Sequence, residues 1–295
     1  MTATAREIKP VELDLDRLEQ MAESGYYNPY TIFQWPDTIE ADKPWMSENL
    51  TTLAGTEMWD ELTREQQLAL TRYETINFFS LNIHGIRELM SEVVLRIHER
   101  TYAGVSEFLH HFIGEENEHM WFFAQFCLRY GGKLYPAQPS LKADSVSHLS
   151  AVARELIVFA RILIFEEIVD YYNAQMATDP DLPEIAREIN RVHHQDESRH
   201  VAFGRMVFTN LLAQVAGRDP AEVPAVAEYL EKYLQYSIGT LYHPAAYRDA
   251  GIPDALALRR RALEHPARAE AHERMLKRTR SFLAKAGVGR ELVGR

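Results

Sequence analysis

Two copies of one short pattern constrain this chain more than anything else in it: Glu116 with His119 in GEENEHM, and Glu197 with His200 in HHQDESRH. Successive helical residues advance about 100° around the axis, so side chains three apart lie about 60° apart, one above the other on a single face. Each pair can therefore reach one metal ion. His193 stands four residues before Glu197 and falls on the same stripe, whereas His194 points away from it. Glu107 with His110 also matches, and composition alone yields about one such match, so the signal lies in the conjunction of two pairs on separate helices.

From residue 62 onward the apolar residues recur at helical spacing. The pattern predicts four long helices at 66–100, 106–130, 148–178 and 184–216. Thr101 to Gly104 should stop the first, Ser106 should N-cap the second, Gly131 and Gly132 should end it, and Asp179 to Pro183 should break the third. The loops are short, long, short. An up-down bundle has short loops throughout, whereas a ferritin-like bundle needs one long crossover between its second and third helices. The expected fold is all-α, a ferritin-like four-helix bundle over 66–216. An N-terminal arm over 1–60, with an amphipathic stretch at 11–23, should precede it, and further helices over 220–295 should follow and end in a solvated basic tail, KRTRSFLAKAGVGR. Residues 1–295 are expected to form a single domain.

The first and third long helices each offer one more carboxylate: Glu88 lies 28 residues before Glu116, and Glu166 lies 31 before Glu197. A glutamate from each of two helices plus a Glu-x-x-His from each of the other two is the di-iron or di-manganese arrangement of such bundles. Carboxylate oxygens and imidazole nitrogens suit iron or manganese, and the absence of thiolate pairs argues against structural zinc. Phe112, Phe123, Val201 and Phe203 make the ligand faces largely apolar, where unpaired carboxylates are costly and a cation compensates them.

Two choices stay open. Symmetry about Gly104 favours Glu92 over Glu88, but Glu92 shares its face with Arg96 and Glu99, while Glu88 sits below Leu81, His84 and Gly85. Glu167 competes with Glu166, which the apolar face through Phe159 and Ile162 favours. Asp170 and Asp196 are candidate hydrogen-bond partners for ligands.

Composition narrows the function class. The net charge of −11 disfavours a nucleic-acid or anionic-membrane partner, and the single Cys127 rules out an internal disulfide or an iron–sulfur cluster. No run approaches the roughly 18 apolar residues of a membrane span, and the N-terminus lacks a basic region followed by an apolar one, so a cytoplasmic protein is expected.

Taken together, GEENEHM at 114–120, FEEIVDYYN at 165–173 and HHQDESRH resemble the p-aminobenzoate N-oxygenase (AurF-like) family of non-haem di-iron oxygenases, over residues 70–215. That family is marked by an additional histidine one turn before its last Glu-x-x-His, the place His193 fills. The resemblance implies seven ligands, Glu88, Glu116, His119, Glu166, His193, Glu197 and His200, holding two Fe ions for which Mn could substitute. The spacing from Glu88 to Glu116 is shorter than in the family's better-known members. The resemblance also implies O2 activation through a peroxo di-ferric intermediate and N-oxygenation of a small amine in a biosynthetic pathway, with electrons from an external donor. A homodimer is the association common to such bundles. The alternatives on this scaffold are C–H hydroxylation, desaturation, oxidative decarboxylation, or a non-catalytic iron protein, the last disfavoured by a length well beyond that of storage-ferritin subunits. Tyr130, Tyr171 and Tyr172 keep a radical role conceivable, with packing the simpler explanation.

Overall fold

A computed structural model describes residues 14–139, 141 and 146–288, and among them the chain is helical with no strand. The N-terminal arm carries three short helices, α1 (Leu15–Ser24), α2 (Pro29–Ile32) and α3 (Glu57–Asp60), joined by irregular chain. Its aromatic residues wrap the bundle. Tyr30 and Phe33 meet Trp121 and Phe122, and Trp45 meets Phe126 and Tyr130.

The four long helices follow as α4 (Arg64–Val94), α5 (Ser106–Phe126), α6 (Ala151–Met176) and α7 (Glu184–Arg218). α4 starts with a full capping box, in which the Thr63 side chain accepts from Gln66 N and the Gln66 side chain reaches back to the Thr63 backbone. It ends earlier than the expected residue 100. The Arg96 guanidinium takes the Glu92 carbonyl and bridges to Glu155, and the backbone turns left-handed at His98 (φ 62°). Ser106 does not N-cap α5. Val105 holds that position, while the Ser106 hydroxyl accepts from His98 N and donates to the Tyr102 carbonyl.

α5 finishes in a π-helical turn over Cys127–Gly131, and Gly132 supplies the left-handed cap (φ 66°). The crossover then runs to Ser150, which N-caps α6 by accepting from Ala153 N; residues 140 and 142–145 lie outside the described set. Leu182 and Pro183 carry the chain into α7, and the long crossover stands where the ferritin-like topology requires it.

The last quarter of the chain forms α8 (Glu222–Leu241), α9 (Pro244–Asp249), α10 (Ala255–Glu264) and α11 (Pro266–Lys285). α8 packs across α4 and α6, and α11 packs on α6. The basic segment is therefore not a free tail. Thr279 and Leu283 are buried, Arg278 reaches Asp170 and Arg280 reaches Glu231; residues 289–295 lie outside the described set.

Gly132 isolates the cost of one backbone conformation, because a Cβ there would touch nothing within 4 Å. Gly132→Ala should lose about 1–2 kcal/mol from the left-handed φ alone. Thermal unfolding should register this as a drop in Tm of about 2–8 °C.

Candidate metal centre

Six of the seven expected ligands converge. α5 supplies Glu116 and His119, α7 supplies His193, Glu197 and His200, and α6 supplies Glu166, all at 0–2% exposure. One ligand atom from each of Glu116, His119, Glu197 and His200 lies within 4.8 Å of the others. Glu166 Oε2 approaches His200 Nδ1 at 3.9 Å, and His193 Nε2 lies 2.8 Å from Glu197 Oε1. Aromatic rings enclose the group: Phe112 sits 4.4 Å from His200, Phe122 5.5 Å from His119 and Phe123 4.9 Å from His193, centroid to centroid.

Glu88 does not join them. Its side chain is half exposed and is ion-paired with Arg161 of α6, while Glu92 pairs with Arg96. Phe79 meets Phe123 and Gly85 meets Phe165, so the part of α4 level with the cluster is about 82–89. Its buried members are Asn82, Ile83, Ile86 and Leu89, none of them an acid. Glu167 turns away to Arg205, which leaves the interior to Glu166. Glu107 is exposed and His110 faces His98, as expected for a chance match.

The atoms that face one another look only into the cluster. Both oxygens of Glu116 and of Glu197, one of Glu166, His119 Nδ1, His193 Nε2 and His200 Nδ1 are buried with no hydrogen-bond partner outside it, although His200 Nδ1 lies 2.9 Å from Glu116 Oε1 within it. Burying so many acceptors and imidazole nitrogens unsatisfied would cost several kcal/mol, and divalent cations bound by hard oxygens and nitrogens would satisfy them together. The donor set therefore fits a metal pair.

Each histidine is turned by a bond from its far nitrogen. His119 Nε2 lies 3.0 Å from Asp196, His200 Nε2 lies 2.8 Å from Glu115, and His193 Nδ1 meets the Asn173 side chain. Arg199, itself buried, ties two of these supports together by donating to Asp196 at 2.6 Å and to Glu115. Tyr27 of the arm adds its hydroxyl to Asp196 at 3.1 Å. Asp196 thus fills the supporting role expected for it. Asp170 does not, since it holds the half-exposed His194 and Arg278 instead. Glu115, Asn173, Arg199 and Tyr27 were not legible as site residues, although three of them lie inside the quoted segments GEENEHM, FEEIVDYYN and HHQDESRH.

Protonation shows how charge balances with protons as the only cations. Burial pushes His119 down, but Asp196 and Glu116 outweigh it and raise it to about 10. His200 rises well above its usual value, burial again being overcome by Glu197 and Glu115. Glu166 is driven well up by burial and by the charges of Glu197 and Glu116. Burial holds His193 low, so its ring is neutral. The cluster thus carries protons on His119, His200 and Glu166 that compensate the carboxylates.

A family model described as p-aminobenzoate N-oxygenase AurF matches residues 11–287. The chain belongs to the AurF family. It is accordingly an O2-dependent di-iron oxidoreductase with a small-molecule substrate, and its buried Glu/His group fits iron, with manganese able to substitute. No curated protein matches the sequence significantly. Among solved structures, an R2-like ligand-binding oxidase with an aerobically reconstituted Mn/Fe cofactor aligns at TM-score 0.46 and 15% identity, covering 90% of this chain and 93% of that one. An anaerobically reconstituted form aligns at TM-score 0.47 and 16% identity, with coverage of 90% and 93%. No helix among the described residues of this AurF-family member is long and apolar enough to cross a membrane.

Two measurements test the centre. Arg199→Ala leaves the supports of His119 and His200 unclamped and should weaken Fe(II) affinity about 10–100-fold, measured by anaerobic competition with a chelator. A metal must also displace the protons of His119, His200 and Glu166. Since His119 titrates near 10, Fe(II) affinity should rise with pH across the neutral range, and a weakly buffered anaerobic titration should show acid released on binding.

Proposed function

We propose that this AurF-family chain N-oxygenates a small amine, holding its two metal ions through Glu116, His119, Glu166, His193, Glu197 and His200. The observation that carries the reading is the third histidine. His193 presents a neutral Nε2 beside Glu197 and is fixed from behind by Asn173, in the position that marks the family. When bound, the metals would supply O2 reduction and oxygen-atom transfer. The overall step balances as amine plus O2, two electrons and two protons giving hydroxylamine and water, with the electrons delivered by an external donor.

The protein's own part is orientation and exclusion of water. Asp196 and Glu115 fix which imidazole nitrogen faces inward, and Phe112, Phe122 and Phe123 keep solvent from the ligand atoms. The apolar core runs without interruption from Leu15 to Val288, which supports the arm, the bundle and the C-terminal helices acting as one domain.

Protein loaded with Fe(II), supplied with a reductant and O2, should convert an arylamine to its hydroxylamine or nitroso product, followed by mass spectrometry. Glu166→Ala should lose iron and activity together, whereas Glu88→Ala should keep both within about twofold, as expected of a surface ion pair. Bulk ferric mineral with no oxidised amine would remove the N-oxygenase reading, and iron loss in Glu88→Ala would restore that residue as a ligand.

A further inference from the structure

Tryptophan and tyrosine are the side chains that give up an electron most readily, and Trp35, Trp121 and Tyr30 stand together where the N-terminal arm crosses α5. From the metal cluster outward, rings are in contact at every step. His119 meets Phe122 at 5.5 Å between centroids, Phe122 meets Phe33 at 5.4 Å, and Phe33 meets Trp35 at 5.7 Å. Trp35 then meets Trp121 at 6.3 Å, and Trp121 meets Tyr30 at 4.6 Å. Each step has the spacing of a packed aromatic pair. One end of this line is an inward-facing imidazole of the cluster. The other end is in solvent, since Tyr30 is 60% exposed.

Electron tunnelling falls off exponentially with the gap to be crossed, so a line of touching rings couples the cluster to the surface better than aliphatic chain or water would. Phe33 and Phe122 are too hard to oxidise to hold a charge, and they serve as the bridge between Trp35 and His119. Trp35 and Trp121 are both partly exposed, so the N–H proton that an indole loses on oxidation has water to enter. A second line of rings is poorer on both counts. Tyr172 reaches His193 only through Phe78, Phe79 and Phe123, one more ring that cannot hold a charge. Its own phenol is buried, away from any solvent that could take a proton.

We propose that the arm and α5 form an exit for oxidising equivalents, through which the metal centre discharges when O2 has reacted and no substrate is there to be oxidised. Two Fe(II) ions give O2 two electrons, and two more electrons, with four protons in all, let it leave as two waters. Each of the later electrons comes from Trp35, whose indole also loses its N–H proton to water. Trp121 refills Trp35 and Tyr30 refills Trp121, each indole regaining its proton from solvent, until the loss rests on the Tyr30 phenol. A small thiol then gives Tyr30 a hydrogen atom and restores it. The net change is O2, two Fe(II), two thiols and two protons giving two waters, two Fe(III) and one disulfide. The exit depends on O2 reduction by the metal pair and not on which substrate is oxidised.

Fe(II)-loaded protein mixed with O2, without substrate or thiol, and frozen within the first turnover should show an aromatic radical by EPR. Ring-deuterated tryptophan or tyrosine assigns the signal, and added dithiothreitol should quench it. Tyr30→Phe, a change at an exposed ring, should hold the radical on tryptophan. Trp121→Phe should strand it on Trp35, and Trp35→Phe should abolish it, with iron content and Tm preserved because a ring still docks the arm. Peptide mapping after repeated exposure to O2 should find oxidised Tyr30, Trp35 and Trp121 in the unaltered protein, whereas in Trp35→Phe the damage should move to the residues around the metals. Absence of any aromatic radical, a tyrosine signal unchanged in Tyr30→Phe, or an undiminished signal in Trp35→Phe would overturn the proposal. So would a signal that only Tyr27→Phe removes, since Tyr27 reaches His119 by hydrogen bonds through Asp196 and not through the rings.

Discussion

Three carboxylates and three imidazoles meet in the middle of this bundle at almost no exposure, with inward atoms that find no partner outside the cluster, and the rest of the structure is arranged so that they can. In a low-dielectric interior such a group holds together only if positive charge is shared through it. Protons on His119, His200 and Glu166 provide that charge in one state, and metal ions in the other. Phe79, Phe108, Phe122 and Phe123, all buried, supply the apolar packing that keeps four helices around it.

Orientation is handled one layer out. An imidazole whose far nitrogen is bonded cannot swivel, so Asp196, Glu115 and Asn173 decide which nitrogen each metal meets. Arg199 couples two of these decisions, because one guanidinium spans the carboxylates behind His119 and His200. The N-terminal arm takes part through Tyr27, whose hydroxyl reaches Asp196 from outside the bundle. A segment with no motif of its own is thereby tied to the geometry of the metal centre.

The candidate ligands on α5 and α7 were legible because an i, i+3 or i, i+4 relation is settled within one helix. The carboxylates from α4 and α6 depend on how one helix is rotated against another, which periodicity does not fix. For α6 the apolar stripe through Phe159 and Ile162 favoured Glu166, the residue that is buried against the cluster while Glu167 turns to Arg205. For α4 the assumed repeat of the two hairpins misled: Arg161 of α6 draws Glu88 outward, and Gly85 is used to seat Phe165. Asn173, Glu115 and Arg199 escaped notice for the same reason, since each acts across a helix boundary. The end of α4 at Val94 and the cap of α5 at Val105 differ from expectation because Arg96 and Ser106 bond to groups that local propensity does not see.

The two hairpins are therefore alike in ancestry of pattern but not in use. α6 turns a carboxylate inward and an aromatic ring sideways, and α4 answers that ring with a glycine. α8 then covers this flank, and a cleft of about 480 Å³ lies between the three helices. The four-helix core has little freedom left once its interior is filled by ligands and their supports. What is left free to vary lies where later helices lean on the core, along α8 and the crossover.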